Sequence, residues 1–173
     1  MAYHYLSRSM SSSHQQPPEN GIVSYTTKVK REWLDYNDHM NVAYYVMTFD
    51  LAIDAFKKVV GISHDYIERE HRSTVALESH IAYLQEASLG DELRIDTRVV
   101  DFDGKRAHLY QEMYRDTQLL ATQETLSISF DTVARKSCLF DDAIAQSYEG
   151  MVAAQKALPL SKQLGRAVGI RRQ

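Results

Sequence analysis

The residue types that could carry chemistry are concentrated in one polar stretch, residues 33–41. A carboxylate, two amides and an imidazole stand at alternating positions within it, as Asp35, Asn37, His39 and Asn41. The apolar run that follows is predicted to be a helix, and the free N–H groups at a helix start carry partial positive charge. A carboxylate beside such donors can act as a base or nucleophile while the donors stabilise a developing anion. Stretch 33–41 is therefore the candidate active site.

The same residues also have a purely structural interpretation. Asp and Asn side chains form Asx turns and hydrogen-bond to nearby backbone N–H groups. Asn41 suits the N-cap position of the helix that is expected to begin at Val42. The residue types alone leave the two interpretations evenly balanced.

The elements on either side of this stretch are predicted from apolar periodicity. From Val23 to Trp33, apolar and polar residues alternate, as in a half-buried strand. From Val42 to Val60, the polar residues fall on one narrow stripe, so this helix is expected to be wrapped by other structure. Gly61 suits the position just past the end of the helix. The stretch thus joins a strand to a buried central helix.

Four further strands and a late helix complete the prediction. The strands are expected to form an antiparallel meander over Val75–Leu84, Glu92–Val100, Ala107–Tyr114 and Leu119–Phe130. An amphipathic helix is expected from Asp141 to Leu158, ending before Pro159. The fold class is α+β: a five-stranded antiparallel sheet wraps one long central helix, with a C-terminal helical extension from about residue 141. Residues 22–173 are expected to form one domain, and residues 1–21, which are rich in Ser, Gln and Pro, are expected to be a disordered leader.

The amino-acid composition restricts the binding partners and the cellular compartment that we expect. The net charge of -3 and pI near 6.1 argue against a dedicated nucleic-acid binder. No apolar run approaches the roughly 20 residues that cross a bilayer, so no membrane partner is expected. The single cysteine, Cys138, is interpreted as a packing residue, and the lack of a disulfide framework fits a reducing cytoplasm. The scattered histidines predict no metal site.

The order of elements and the polar stretch together resemble the hotdog-fold acyl-CoA thioesterases of the 4-hydroxybenzoyl-CoA thioesterase type. In that family a loop of the form Asp-x-x-x-His-x-Asn leads into the central helix, and Asp35, His39 and Asn41 match it. Asn37 matches the Asp-x-Asn-x-His form of plant acyl-carrier thioesterases. The resemblance covers Val23 to Phe130. Asp38 departs from it, because many relatives have Gly directly before the His, where a positive φ is needed.

The resemblance implies roles for particular residues. Asp35 would be the base or nucleophile, and Asn37 and His39 would orient substrate or water. Substrate-binding residues are expected to be Trp33, Asn41, Val42, Tyr45 and Glu78, although packing, capping and solvated charge explain these residues as well. Turn cations that could meet the CoA phosphates are Lys105, Arg106 and Arg135. No cofactor is implied, because the CoA thioester is the substrate.

A narrower resemblance, to the betainyl-CoA thioesterases, rests on later segments. These are residues 78–84, 102–110, 157–159 and 165–166. It implies a short acyl group that carries a trimethylammonium, for which tyrosines and Trp33 could form an aromatic cage. The fold family also implies a homodimer or homotetramer with the site at the subunit junction. Two alternatives stay open: a hotdog hydratase or dehydratase that acts on an acyl thioester, and a non-catalytic module that binds acyl-CoA.

Overall fold

The computed structural model describes residues 18–159 and 161–170. After a short 3-10 turn at Arg31–Trp33, which follows the first strand, two helices, five successive strands and a final helix follow along the chain. The elements are β1 (Val23–Lys28), α1 (Val42–Val59), α2 (His64–Glu70), β2 (Arg72–Tyr83), β3 (Glu92–Phe102), β4 (Arg106–Arg115), β5 (Gln118–Asp131), β6 (Lys136–Ser137) and α3 (Asp142–Gln155). Of the predicted leader, residues 1–17 lie outside the described residues.

All strands belong to one antiparallel sheet in the order β1-β3-β4-β5-β2, and the two-residue β6 pairs with β5. The predicted α+β hotdog class is confirmed, but the predicted four-strand meander is wrong. Only β3, β4 and β5 follow one another as neighbours, because β1 occupies the place beside β3 and β2 pairs with β5. Strand β2 therefore forms one edge of the sheet, and no described strand pairs with its outer side.

Helix α1 begins where its cap predicts. The Asn41 side chain accepts a hydrogen bond from the Ala43 N–H at 3.0 Å, which satisfies one donor of the first turn. Tyr45, Phe49 and Phe56 face the sheet and are buried. The helix is not wrapped on every side, however, because Val42 is 59% exposed and Val46 is 46% exposed. One apolar flank of α1 thus remains open in the single chain.

The concave face of the sheet, on which α1 lies, carries two groups of buried side chains. The first surrounds the start of α1 and includes Trp33, Tyr45 and Phe49. The second surrounds its end, where α3 adds Tyr148, whose ring stacks on Phe102 with 4.9 Å between centroids. The helical extension therefore completes the core, although α3 ends at Gln155, three residues before the predicted end.

Buried phenols predict how stability depends on alkaline pH. Burial raises the pKa of Tyr148 far above its ordinary value near 10, and burial together with Glu112 raises the pKa of Tyr114 to about 12. Between pH 10 and 12 the unfolded chain loses protons that the folded chain keeps, so stability falls as the pH rises. We expect the free energy of unfolding to decline above about pH 10. The decline should be less steep in Tyr148→Phe.

Urea titrations at intervals from pH 8 to 11 measure this effect. The matched control is Tyr36→Phe, since Tyr36 is almost fully exposed and its removal takes no phenol from the core. If the free energy of unfolding fell equally steeply with pH in Tyr148→Phe and in the parent chain, Tyr148 would not be a cause of the decline.

Candidate active site

The loop between the 3-10 turn and α1 is closed by backbone hydrogen bonds. The Asp35 N–H donates to the His39 carbonyl at 2.9 Å, and the Asp38 N–H donates to the Asp35 carbonyl at 3.2 Å. Asp38 adopts φ 59°, the left-handed conformation for which Gly is usual. The departure from the family pattern is thus accommodated, because Asp tolerates this region better than most residues. The loop presents Asp35 and His39 side by side.

The two oxygens of the Asp35 carboxylate have different surroundings. Oδ1 accepts the Asn37 N–H at 2.8 Å and the His39 N–H at 3.4 Å, which is the Asx turn of the structural interpretation. Oδ2 accepts no hydrogen bond from any group in the part of the chain that the structure describes. One oxygen therefore holds the loop while the other is available to a water molecule or substrate.

The start of α1 supplies a donor close to this carboxylate in sequence. The Ala43 N–H is taken by the Asn41 side chain, so it is not available to a ligand. The Val42 N–H donates to no group within residues 18–159 and 161–170. Val42 is thus the N–H that could receive a developing anion, whereas Asn41 acts as the cap.

His39 has a partner that sequence reasoning missed. The segment 39–40 pairs antiparallel with 87–88: His39 stands opposite Ser88, and the Met40 N–H donates to the Ala87 carbonyl at 2.8 Å. Glu86, two residues from Ser88, is then a diagonal neighbour on the same face as His39. Its Oε2 lies 3.2 Å from His39 Nε2. The structure therefore places Glu86 beside the imidazole of His39, whose backbone N–H is accepted by Asp35 Oδ1.

Tyr45 fixes the segment that carries Glu86. Its hydroxyl accepts the Ala87 N–H at 3.0 Å and donates to the Gln85 carbonyl at 3.4 Å, on either side of Glu86. Burial raises the pKa of the Tyr45 phenol, so it stays a neutral donor and acceptor. Tyr45 thus ties α1 to the connection after β2, which is a positioning role and not direct contact with Asp35.

The aromatic residues proposed as a cage do not gather at one point within the protomer. Trp33 is buried and stacks on Tyr44, with 5.6 Å between ring centroids, and the Lys30 ammonium lies 5.4 Å from its ring. Tyr45 and Tyr83 form a separate edge-to-face pair at 5.4 Å. A role for Trp33 in substrate binding stays a prediction.

Glu78 lies on the opposite face of the sheet from α1. Ile81 packs into the core around α1, and side chains alternate along β2, so Glu78 and His80 point to the convex face. There Glu78 lines a cavity of about 510 Å³ together with His80, His108 and Arg166. The structure does not bring Glu78 together with Asp35 in one protomer.

The three predicted phosphate-binding cations are also distant from Asp35. Lys105 and Arg106 form the β3–β4 turn, where Arg106 pairs with Asp103, and the Arg135 guanidinium lies 5.8 Å from the centre of the Phe130 ring. Segment 87–91, beside the loop, meets the other end of β4, where Arg115 pairs with Asp91. The 10 residues of β4 separate the two ends by about 30 Å. The structure does not bring these cations together with Asp35 within one protomer.

Two absences complete the description of the site. No three His, Cys, Asp or Glu side chains gather as a metal-binding group within the described residues. Within the same residues, no helix combines the length and the apolar character needed to span a bilayer.

Comparison with known families identifies the class of protein to which this fold and loop belong. A family model described as the thioesterase-like superfamily matches residues 29–148, which include the loop, α1, strands β2 to β6 and the first half of α3. The chain belongs to this superfamily, and thioester hydrolysis is the activity that the family and its relatives support. The resemblance stated from the sequence is confirmed at this level.

Two curated relatives are more specific. The betainyl-CoA thioesterase of Pseudomonas aeruginosa is 28% identical over 151 residues, which are 86% of this chain and 95% of that protein. The L-carnitine dehydrogenase/betainyl-CoA thioesterase of Ruegeria pomeroyi is 31% identical over 147 residues, covering 85% of this chain and 30% of that longer protein. The narrower resemblance to betainyl-CoA thioesterases is confirmed by these similarities.

Solved structures with the same fold include two with more than a quarter of residues identical. The hypothetical protein SAV2348 from Staphylococcus aureus, in complex with CoA, superimposes with a TM-score of 0.83 at 26% identity and covers 94% of this chain and all of that one. A putative thioesterase from Pseudomonas putida KT2440 gives a TM-score of 0.75 at 29% identity, with 87% of this chain and 97% of that chain covered.

Proposed function

We propose that the chain is an acyl-CoA thioesterase that hydrolyses a short acyl-CoA, with betainyl-CoA as the preferred substrate. The observation that carries the proposal is the Asp35 carboxylate, which keeps one free oxygen on the loop leading to the free N–H of Val42. A thioester carbonyl bound between them would have a base or nucleophile on one side and an anion-stabilising donor on the other.

The reaction can follow either of two routes through Asp35. As a general base, Asp35 takes a proton from water while the water oxygen bonds to the thioester carbon; as a nucleophile, its own oxygen bonds to that carbon and water later hydrolyses the anhydride. In both routes the carbonyl oxygen becomes an anion near the Val42 N–H. The carbon–sulfur bond then breaks, and CoA leaves as the thiol after protonation. His39, whose backbone N–H donates to Asp35 Oδ1, is assigned the role of orienting the water.

The charge around the loop supports a cationic acyl group. Asp35 and Asp38 lie on the loop and Glu86 lies beside His39, and a trimethylammonium is attracted to carboxylates. The similarity to betainyl-CoA thioesterases points to the same substrate class. A neutral acyl group of equal length would gain nothing from these carboxylates.

A second copy of the chain is part of the proposal. Strand β2 leaves one edge open, and Val42 and Val46 leave an apolar flank of α1 exposed. Pairing of two β2 edges in a homodimer, or in a homotetramer of such dimers, would cover both features. It would also allow Lys105, Arg106 or Arg135 of one protomer to approach CoA bound at another. The lone Cys138 and a CoA substrate fit a cytoplasmic enzyme.

A panel of acyl-CoAs tests this function. Purified protein is mixed with betainyl-CoA, neutral acyl-CoAs of similar length and an enoyl-CoA, and free thiol is measured with a chromogenic disulfide. We expect thiol release with the highest kcat/KM for betainyl-CoA. Hydration of the enoyl-CoA without thiol release would instead indicate a hydratase. Calorimetric binding of acyl-CoA without turnover over hours would indicate a binding module.

A further inference from the structure

The C-terminal segment crosses the convex face of the sheet along one row of cross-strand neighbours. Arg98, Tyr110, Glu124 and His80 are successive partners on β3, β4, β5 and β2. The segment contacts this row in chain order. The contacts join Arg98 Nη1 to the Pro159 carbonyl at 2.9 Å, the Tyr110 hydroxyl to Ser161 Oγ at 2.8 Å, and the Gly165 N–H to Glu124 Oε2 at 2.7 Å.

The crossing is anchored and reaches the open edge. Glu124 also holds His108 Nε2 at 2.7 Å, and the segment covers Tyr110, which is only 1% exposed although it lies on the convex face. Beyond Glu124, residues 165–167 and residues 78–80 of β2 line the same cavity. We call residues 159 and 161–167 the strap. It runs perpendicular to the strands and arrives at β2, beyond which the protomer has no further strand among the described residues.

The residues that follow the strap do not pack on their own sheet. Val168 and Ile170 are each 91% exposed, although both are large apolar side chains. Two such residues at the end of an anchored segment bury almost no surface against the described part of the protomer. Burying either one would remove apolar surface from water, which is favourable.

Val168 and Ile170 would be received by a continuation of the same cross-strand row on a second copy of the chain. If two β2 edges pair antiparallel, the convex faces of the two copies form one continuous surface. The chain that continues from the strap of one copy then passes onto the convex face of the other copy. The convex face of β2 offers Val75, which is 43% exposed, and the exposed carboxylate of Glu78. Val75 suits the apolar side chains of the segment, and Glu78 suits Arg166, which precedes them.

We infer that the end of the chain is an intersubunit clasp: Val168 and Ile170 of each protomer dock on the convex face of a second copy, beside its β2. This inference rests on the β2-paired dimer of the proposed function. By two-fold symmetry each copy both gives and receives a clasp. The cavity beside His80 and Arg166 then lies at the subunit boundary, and Glu78 serves the interface and not the acyl group.

The dimer dissociation constant measures the clasp. Sedimentation equilibrium compares the full chain with Val168→Ser/Ile170→Ser and with a chain that ends at Ala167. We expect both changes to weaken dimerisation at least about 10-fold, which corresponds to about 1.4 kcal/mol. The matched control is Val133→Ser/Leu139→Ser, which removes two apolar residues that are 71% and 66% exposed elsewhere on the surface. An unchanged constant in both tail variants overturns the inference, and so does a chain that is monomeric throughout.

Photocrosslinking locates the contact independently of affinity. Cys138→Ser leaves a chain without cysteine, and Val168→Cys then carries a single benzophenone label. We expect covalent dimers, with the attachment mapped to the convex face near Val75 of the second chain. A label at Glu149→Cys, on the exposed side of α3, is the control. Attachment only within the labelled chain overturns the clasp. Thiol release from acyl-CoA is measured in parallel, so failure of the clasp and failure of the proposed function give different results.

Discussion

Replacement of Asp35 by Asn is expected to lower kcat for thioester hydrolysis by about 10²- to 10⁴-fold while the fold is retained. The amide oxygen of Asn can accept the same Asn37 and His39 N–H groups that Asp35 Oδ1 accepts, so the loop keeps its turn. The substitution removes only the negative charge and the basic oxygen. It therefore separates the chemical interpretation of Asp35 from its structural one.

The matched control for this experiment is Asp131→Asn. The Asp131 carboxylate also accepts two backbone N–H groups, from Val133 at 3.0 Å and Ala134 at 2.7 Å, but Asp131 is the last residue of β5. We expect this variant to hydrolyse the substrate at the parent rate. Thermal unfolding of both variants shows whether the turns persist. A parent-like kcat in Asp35→Asn would show that Asp35 only shapes the loop.

The local parts of this fold could be predicted from the sequence because their signals lie within a few residues. The Asn41 cap and the apolar face after it fix the start of α1 within the loop that carries Asp35. Alternation likewise places β3 and β4 on the right residues. In each case the signal comes from residues that are only a few positions apart in the sequence.

The position of β2 could not be predicted in this way. Its alternation shows that it is a strand, but its neighbour is chosen by packing between residues far apart in the chain. The Leu84 and Gln85 N–H groups both donate to the Leu120 carbonyl, which turns the chain away from β3 and towards the loop at His39. The same turn creates the open edge and brings Glu86 to the site. A non-local pairing thus decides both the dimer edge and a third site residue.

Glu86 is the residue that only the structure reveals, and its replacement by Ala is expected to lower kcat by about 10- to 100-fold with little change in KM. This is less than the contribution of a directly acting acid or base, because Glu86 acts through His39. Without the carboxylate 3.2 Å away, Nε2 of His39 loses its acidic neighbour, and we expect the tautomer and orientation of the ring to be less restricted. Glu86→Gln keeps an oxygen acceptor and should lose less activity than Glu86→Ala.

The control is Glu68→Ala, since the Glu68 carboxylate also lies 3.2 Å from a histidine Nε2, that of His64, on the surface of α2. Loss of a surface pair of this kind costs little stability and should leave hydrolysis unchanged. Nitrogen-15 spectra of the histidine rings report directly on the tautomer: the His39 signals should change in Glu86→Ala and stay as in the parent chain in Glu68→Ala. If Glu86 contributed to folding alone, Glu86→Ala would change the thermal unfolding of the protein, and kcat would not fall while KM stayed the same. Parent-like spectra and kinetics in Glu86→Ala would remove it from the site, and Asp35 and His39 would then act without a third member.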